Sequence, residues 1–353
     1  MLYPLRFTPA YKDYIWGGRN LENFGKVLPD GIIAEIWEIS AHKDGLSIVS
    51  EGDLKGYSIP ELINKFGTEF AGTDLSEKDQ ELFPLLIKLI DANNNLSVQV
   101  HPDDEYAFIN ENGELGKNEM WYILDAKPGS TLIYDVTEGT TKEKFAEAIK
   151  NGTVENTLNT IEVFPGDVIN IPAGLVHAIG KGIILAEIQQ NSNTTYRVYD
   201  YDRKDAEGNS RPLHIEKSLD TIDFRIEKGK EKCQGIVSNL PDGGTKNNLI
   251  ANKYFSVEKY SVKSSIEEKA DGSKFYIYIF TEGNCTIFHD GKEYLFGKGD
   301  TVLVPASIGE YTMAGTFEML KTYVPNIDQD VVLPLLREGY IEEDINEKIA
   351  GLK

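Results

Sequence analysis

Two histidines, one glutamate and one glutamine have the types and the spacing expected of ligands to a single divalent metal ion. His101 ends the run LSVQVH at 96–101, and the two-residue period of an extended strand places Gln99 on the same face. Glu119 begins a later apolar run, and His177 ends the run IPAGLVH at 171–177. A buried polar group without a partner costs about 1–3 kcal/mol, so these side chains need either a ligand or satisfied hydrogen bonds. The alternative for each histidine alone is an ordinary structural residue at a turn or a strand end.

The apolar runs around these residues predict a mainly β protein. Runs rich in Val, Ile, Leu and aromatic residues occur at 96–100, 121–124, 130–134, 167–171, 183–189, 275–280 and 285–289. Turns are predicted at 127–129, 165–167, 282–284 and 290–292, and this close spacing favours antiparallel pairing over βαβ units. Helical patterns are restricted to a stretch that opens at Ser58 with Glu61 as its capping-box partner, to 141–151 and 154–159, and to 331–338 and 342–350.

An internal repeat indicates the architecture. The run GDVINIPA at 166–173 recurs as GDTVLVPA at 299–306, and the strand–turn–strand segment from 119 aligns with the one from 273. Glycine and aspartate make the turn into a buried strand and proline ends it, which is the pattern of a cupin, a small double-sheet jelly roll. We therefore predict two tandem cupin jelly-roll barrels with helical insertions and a short helical C-terminal segment. The alternative is two unrelated β regions with similar turns.

The repeat also predicts the domains. Residues 1–230 are expected to form a catalytic cupin domain with helical insertions at about 54–82 and 138–160, residues 231–325 a degenerate cupin domain, and residues 326–353 a helical extension. Aligned through the repeat, Glu310 takes the place of His177 and Ser273 that of Glu119, so the second barrel is expected to lack the metal site. His289 is expected to be an ordinary strand-end histidine.

In a jelly roll, the positions of His101, Glu119 and His177 lie close together on one inner surface. Two imidazoles, a carboxylate and the amide oxygen of Gln99 would then hold a divalent ion, with water completing its coordination. Zinc fits this set. An Fe(II) site with two histidines and one carboxylate stays open on ligand identity alone.

Composition narrows the classes of partner. The 353 residues include 36 Lys and Arg against 57 Asp and Glu, a formal net charge of −21. This charge argues against a general nucleic-acid binder and against an anionic membrane surface, because both need a basic face. The two cysteines cannot form a disulfide framework, and the chain has neither an apolar signal segment nor a long uncharged apolar run. We expect a soluble cytoplasmic protein, a monomer or homodimer, with no nucleic-acid or membrane partner.

A second polar cluster follows the last predicted strand of the first barrel. Glu187 lies in that strand, and Arg197 stands in a run rich in Asn, Thr, Tyr and Asp. An arginine in such a run either binds an anion or belongs to a solvated salt-bridge network. The network would join Arg197 to Asp200, Asp202 and Arg203.

Four motifs together resemble the type I mannose-6-phosphate isomerases, in particular their short bacterial form. They are LSVQVHPD at 96–103, GKNEMW at 116–121, IPAGLVHAIG at 171–180 and the run at 187–203. YIWGG at 14–18 and AEIW at 34–37 look like the N-terminal region of the same family. The resemblance runs from about residue 3 to about residue 323, and the segment from about 326 is not matched.

The resemblance implies a role for each matching residue. The zinc ligands of the family, with one zinc ion per chain, fall on Gln99, His101, Glu119 and His177. The active-site arginine and glutamate fall on Arg197 and Glu187, the lysines of the family's site on Lys88 and Lys117, and the phosphate-side serine on Ser97. The implied reaction is the interconversion of mannose 6-phosphate and fructose 6-phosphate.

That reaction moves a proton between C1 and C2 through an enediol(ate), whose developing charge needs a Lewis acid or a fixed cation. Glu187 is the leading candidate for the base, while Lys117, His101 and a zinc-ligand water stay open. Arg197 suits either the phosphate or the enediolate oxygen. Because the net charge repels a sugar phosphate at long range, a local basic cluster is required, and Lys88, Lys117 and Arg197 supply it. The rival functions are an Fe(II) cupin oxygenase and a non-catalytic sugar-binding protein with two cupin barrels.

Overall fold

The computed structural model describes residues 1–204, 207–225 and 231–352. The described residues form 21 strands: β1 Leu5–Thr8, β2 Ala10–Lys12, β3 Glu35–Ile39, β4 Ile48–Val49, β5 Leu85–Ala92, β6 Val98–Val100, β7 Glu119–Ala126, β8 Thr131–Val136, β9 Leu158–Glu162, β10 Val168–Ile171, β11 His177–Ile179, β12 Ile183–Gln190, β13 Tyr196–Tyr199, β14 Ile236–Asn239, β15 Thr245–Ala251, β16 Ser256–Val262, β17 Ser265–Ala270, β18 Tyr276–His289, β19 Lys292–Gly297, β20 Thr301–Val304 and β21 Gly309–Tyr323. The α-helices are α1 Ile59–Phe66, α2 Thr68–Ala71, α3 Glu77–Leu82, α4 Asp104–Asn110, α5 Lys142–Lys150, α6 Ile215–Thr221, α7 Leu333–Arg337 and α8 Glu342–Lys348.

The first barrel consists of two antiparallel sheets. One has the strand order β10-β7-β12-β5-β3-β2 and the other the order β13-β6-β11-β8-β9. Apolar side chains with exposures of 9% or less, among them Trp121, Leu132 and Ile179, fill the space between the sheets. The prediction of a mainly β chain with cupin jelly-roll barrels is confirmed. The polar residues of the first barrel lie against a closely packed apolar core.

The second barrel is built on a ten-stranded sheet with the order β14-β15-β16-β21-β18-β20-β1-β4, to which β17 and β19 add through β21 and β18. The N-terminal strand β1 belongs to this sheet, since Leu5 pairs with Leu303. Phe83, which follows α3, stacks on Phe275 with ring centroids 4.8 Å apart. The N-terminal strand is therefore part of the second barrel, and the helical segment between β4 and β5 packs against that barrel.

One predicted turn is wrong. The sequence at 282–284 was expected to reverse the chain, but β18 continues from Tyr276 to His289 and pairs with β21 on both sides of this point. Gly283 has a φ of +75°, and the register shifts between Phe280 and Glu282. The glycine therefore makes a bulge that bends a long strand instead of a turn that ends it.

The strand register also corrects one of the counterparts predicted for the second barrel. Ile171 pairs with Glu119, and its repeat equivalent Val304 pairs with Tyr276 and not with Ser273. The assignment of Ser273 is therefore wrong, because the connections between the repeated strands differ in length by three residues. A tyrosine stands at the position that corresponds to Glu119, and the assignment of Glu310 to the position of His177 stays a prediction.

The predicted helices are present, with small changes. The α1 capping box forms, with Ser58 N donating to Glu61 Oε2 at 2.8 Å. The segment predicted at 154–159 is a 3₁₀ turn, Val154–Thr157, and the C-terminal region begins with a π-helical turn at Asp328–Val332. Leu335, Ile345 and neighbouring apolar residues pack against the β14–β15 edge. The predicted boundary after residue 230 lies outside the described residues, since 226–230 are not among them, and the division into domains stays a prediction.

Candidate metal centre and adjoining cavity

The three predicted ligands His101, Glu119 and His177 meet inside the first barrel. The two Nε2 atoms lie 3.1 Å apart, and His101 Nε2 lies 3.2 Å from Glu119 Oε1. His177 Nε2 lies 3.9 Å from Glu119 Oε2, and one ligand atom from each residue falls within 4.8 Å of the others. All three side chains are 0–1% exposed. The Gln99 amide completes the cluster, with its Nε2 3.4 Å from His177 Nε2.

Strand pairing explains this convergence. Glu119 is the first residue of β7 in one sheet, while His177 is the first residue of β11 in the other, directly opposite Gln99 on β6. The far side of each imidazole is fixed by a backbone carbonyl: His101 Nδ1 lies 2.9 Å from Thr194 O, and His177 Nδ1 lies 2.9 Å from Leu175 O. When Nδ1 carries the proton and donates it to a carbonyl, Nε2 presents a lone pair to the cluster.

The donor atoms of this cluster suit a metal cation. Both carboxylate oxygens of Glu119 are buried and accept no hydrogen bond from the described residues, although Lys117 Nζ makes an ion pair with Oε1. Burial, aided by Lys117, lowers the pKa of His101 to about 3, and burial lowers the pKa of His177 to about 4. Two neutral imidazoles whose lone pairs face each other beside a carboxylate fit a divalent metal, and a half-turn of the Gln99 amide would add an oxygen.

A cavity of about 250 Å³ opens above the cluster. Its wall includes every further residue that the sequence predicted for the site: Lys88, Ser97, Lys117, Glu187 and Arg197, with Gln99 among the ligands. Lys117 connects the cavity wall to the metal cluster, since its Nζ lies 2.9 Å from His101 Nε2. All nine predicted site residues therefore lie either in the cavity wall or in the cluster beside it.

A cross-strand row on the first sheet holds the buried acid and base. Trp121 on β7, Glu187 on β12, Lys88 on β5 and Trp37 on β3 are successive register partners. Trp121 Nε1 donates to Glu187 Oε2 at 2.9 Å, and Lys88 Nζ lies 2.9 Å from Glu187 Oε1. On the other side, Lys88 Nζ lies 3.6 Å from an oxygen of Glu35.

The combined effect of burial and the neighbouring charges is to raise the pKa values of both Glu187 and Lys88 in this row. Burial, with the nearby charge of Glu119, raises the pKa of Glu187, while Lys88 opposes this. Burial by itself would lower the pKa of Lys88, but Glu187 and Glu35 raise it well above its ordinary value. Lys88 is therefore held charged, and Glu187 is a carboxylate whose affinity for a proton exceeds that of an exposed one.

Arg197 lies apart from the salt-bridge network that the sequence offered as an alternative. Its Nε donates to Ser97 Oγ at 3.2 Å and its Nη1 to Pro212 O at 2.9 Å. Asp200 instead binds Arg203 and Arg211. Of the expected network, the described contacts include the pair of Asp200 and Arg203, joined by Arg211, which sequence reasoning did not consider.

Several wall residues were not singled out from the sequence: Tyr14, Trp16, Glu35, Asn193, Thr195 and Arg211. The first three lie in the YIWGG and AEIW motifs, so those motifs could have placed them near the site. Asn193 and Thr195 flank Thr194, whose carbonyl orients His101. Arg211 carries no local sequence signal.

The protein is a cupin with a candidate metal centre. Its jelly roll holds a buried set of two histidines and one carboxylate next to a polar cavity. Residues 4–146 match the family "Phosphomannose isomerase type I, catalytic domain", and residues 245–324 match "Mannose-6-phosphate isomerase, cupin domain". The chain is 40% identical to mannose-6-phosphate isomerase ManA of Bacillus subtilis, with 91% of this chain and 99% of the relative covered. It is 37% identical to mannose-6-phosphate isomerase of Streptococcus mutans, with 92% and 99% covered.

The crystal structure of the mannose 6-phosphate isomerase from Bacillus subtilis superimposes with a TM-score of 0.83 at 36% identity, covering 90% of this chain and 99% of that chain. The chain belongs to the type I mannose-6-phosphate isomerase family. The similarity extends over both barrels. In the described part of the chain, the helices are all too short or too polar to cross a lipid bilayer.

Proposed function

We propose that the chain interconverts mannose 6-phosphate and fructose 6-phosphate. The observation that carries this proposal is a buried two-histidine, one-carboxylate cluster beside a cavity whose wall contains two arginines. An aldose–ketose isomerase needs electrophilic assistance at O1 and O2 and a cation for a phosphate several carbons away. Both requirements are met within one cavity.

Zinc is the metal we propose, one ion per chain, held by Gln99, His101, Glu119 and His177. Two imidazole nitrogens with carboxylate and amide oxygens are a typical zinc set. When bound, the ion supplies Lewis-acid polarisation of the oxygens on C1 and C2. The protein's own contribution is a set of neutral imidazoles fixed through their Nδ1 atoms, so the ligands need little rearrangement on binding.

Glu187 is the residue we propose for proton transfer. In the direction from open-chain mannose, its carboxylate takes the proton from C2, the electrons of that bond form the C1–C2 double bond, and the electron pair of the C1 carbonyl moves to O1, which takes up a proton. The O2 hydroxyl then loses its proton as the C2 carbonyl forms, and the electrons of the C1–C2 double bond take the proton back from the same carboxylate at C1. A raised pKa suits this task because it strengthens the base near neutral pH. Lys88 and Trp121 each bind one of the carboxylate oxygens and so fix its position.

Lys117 is proposed to serve the oxygens of the enediol. Its Nζ lies between His101 and Glu119, in the cavity wall. An ammonium there can donate to the oxygen that gains charge as C2 loses its proton. We propose Lys88 as a substrate contact at the sugar hydroxyls. Since Glu187 and Glu35 already offset its charge, it is a poor candidate for the phosphate.

Arg197 and Ser97 are proposed to bind the phosphate. Arg197 is the register partner of Gln99, but its side chain extends to Ser97 Oγ, two residues before Gln99. Two extended residues span about 7 Å, so the guanidinium is directed away from the proposed metal ligand. Of the two roles open from the sequence, the phosphate role is therefore better supported than the enediolate role.

The test is a coupled assay for fructose 6-phosphate formed from mannose 6-phosphate, together with metal analysis of the purified protein. Chelation should abolish turnover, and adding back Zn²⁺ should restore it. Full activity of a demonstrably metal-free preparation would refute the metal role. Metal-bound protein with no turnover would favour a sugar-binding function. The cytoplasmic location and the monomeric or homodimeric state remain proposals.

A further inference from the structure

Arg211 lies in the wall of the same cavity as Arg197, although it comes from a different part of the chain. Arg197 is in β13, which ends at Tyr199, and Arg211 comes twelve residues later in the sequence. Asp200 fixes the position of Arg211 through two contacts, from Nε to Oδ2 at 2.8 Å and from Nη2 to Oδ1 at 2.6 Å. This two-point contact orients the guanidinium plane and uses one edge of it.

The charges along the cavity are unevenly matched. Near the metal cluster, Lys117 is paired with Glu119, and Lys88 lies between Glu187 and Glu35. At the arginine end, Asp200 pairs with Arg203 and Arg211, while Arg197 lies nearby without an ion pair to it among the described contacts. Of the described residues in the cavity wall, this end contributes the guanidinium groups of Arg197 and Arg211 and no carboxylate, although the chain as a whole is strongly negative.

Two neighbouring guanidinium groups are electrostatically unfavourable in the absence of an anion. Burial and the neighbouring charge of Arg211 lower the pKa of Arg197, a sign that the two guanidinium groups repel each other. The side chain of Arg211 is 26% exposed, so solvent does not fully screen it. A phosphate monoester carries a charge of about −1.5 to −2 near neutral pH and offers three acceptor oxygens, which matches both the charge and the donors at this end.

We propose that Arg211 is a second phosphate-binding residue, which grips the phosphate of the sugar substrate together with Arg197. This inference rests on the proposed phosphate role of Arg197. It assigns the edge of the Arg211 guanidinium that does not face Asp200 to the phosphate oxygens. Asp200 acts as a positioning residue, because it holds Arg211 in place before substrate binds and so reduces the entropy lost on binding.

The experiment compares three substitutions to methionine: Arg211→Met, Arg197→Met and Arg203→Met. Arg203 is the matched control, since it shares Asp200 with Arg211 and donates to Asn95 O but is not in the cavity wall. For each variant one measures kcat and KM for mannose 6-phosphate, the inhibition constant of inorganic phosphate, the metal content and the melting temperature.

Arg211→Met should raise KM and the inhibition constant of inorganic phosphate by about ten- to a hundredfold, the loss expected for one charge-assisted contact. The value of kcat should stay within about threefold, because the contact is the same in the ground state and the transition state. Arg203→Met should change each constant by less than about threefold. If Arg211→Met does not fold, Arg211→Lys keeps the charge without the planar fork and should raise both constants to a smaller extent.

Unchanged phosphate inhibition in folded Arg211→Met would overturn the proposal, and so would equal effects of Arg211→Met and Arg203→Met, which would indicate a general charge effect. If Arg197→Met weakens phosphate binding and Arg211→Met does not, Arg211 is excluded while the phosphate end stands. If Arg197→Met also leaves phosphate inhibition unchanged, the assignment of this end to phosphate fails as well. If the wild-type protein binds phosphate but does not convert mannose 6-phosphate, the proposed isomerase function is contradicted instead.

Discussion

Replacing Trp121 by phenylalanine tests whether a buried indole tunes the proposed base. Trp121 is 0% exposed, and its Nε1 donates to Glu187 Oε2 at 2.9 Å. Phenylalanine keeps an aromatic ring in place and removes this donor. A hydrogen bond to a charged group contributes about 1.5–3 kcal/mol, and one pKa unit corresponds to about 1.4 kcal/mol. The ionised form of Glu187 should therefore become harder to reach by roughly one to two pH units.

The sign of the effect follows from which form the donor stabilises. An indole N–H stabilises the carboxylate and not the protonated acid, so its loss raises the pKa of Glu187 further above the ordinary value than burial already does. A base must be ionised to accept the C2 proton. The acidic limb of the profile of kcat against pH should therefore move to higher pH by roughly one to two pH units, with a smaller loss on the alkaline plateau.

The chain offers a matched control in Trp37→Phe. Trp37 is also 0% exposed, lies in the same cross-strand row, and donates to a carboxylate oxygen, Glu35 Oε2, at 2.7 Å. Both variants lose similar ring volume and a similar hydrogen bond. Both should lower the melting temperature, whereas the shift of the acidic limb should appear only in Trp121→Phe. The assay is the coupled isomerase assay across pH, with metal content measured in every preparation.

A double-mutant cycle makes the test sharper. Glu187→Gln should reduce kcat by about two to four decades if the carboxylate transfers the proton. In the Glu187→Gln background, Trp121→Phe should have little additional effect on kcat, because the group that it tunes is already absent. Equal pH profiles for the two tryptophan variants, or fully additive losses in the cycle, would show that the indole contact does not tune a catalytic base.

Three further outcomes follow from the structure. Gly116→Ala should lower metal affinity and activity together. A Cβ at this position would lie 2.5 Å from backbone atoms of Asp103 and Asp104 and would displace the segment that carries Lys117. Unchanged zinc affinity, measured by competitive chelation, would contradict this. Lys321→Met should lower the free energy of unfolding by about 3–5 kcal/mol in denaturant melts, since it removes one partner of a buried ion pair in the second barrel, while kcat per folded molecule stays nearly constant. Metal should bind at one equivalent per chain, and exposed Glu310→Ala should leave turnover almost intact; two tight equivalents, or loss of turnover in folded Glu310→Ala, would argue for a second functional centre.

The second barrel shows why an internal repeat alone could not predict which residues occupy the positions equivalent to the site of the first barrel. The row Trp121–Glu187–Lys88 has the counterpart Tyr278–Lys321–Glu258, so the acid and the base have exchanged strands. Lys321 Nζ lies 2.6 Å from Glu268, and Tyr278 OH lies 2.5 Å from Tyr311 OH. Both side chains contact other polar groups of the second barrel, and this arrangement becomes visible only once the register is known.

Local patterns determined much of the first barrel. The period of two in LSVQVH placed Gln99 and His101 on one face, and the Gly-Asp and Pro pairs of the repeat marked the ends of β10 and β20. The capping box at Ser58 predicted the start of α1. These features depend on backbone geometry within a few residues, so the sequence alone specifies them.

The tertiary structure decided the rest. Glu119 and His177 meet because two separate sheets close face to face, and Arg211 reaches the cavity because Asp200, eleven residues earlier, binds its guanidinium. The bulge at Gly283 and the counterpart Tyr276 depend on how many residues each connection contains. Strand alternation fixes the face of a side chain but not its partner across the barrel. That partner is set by register and sheet closure, which arise from contacts between residues far apart in the chain.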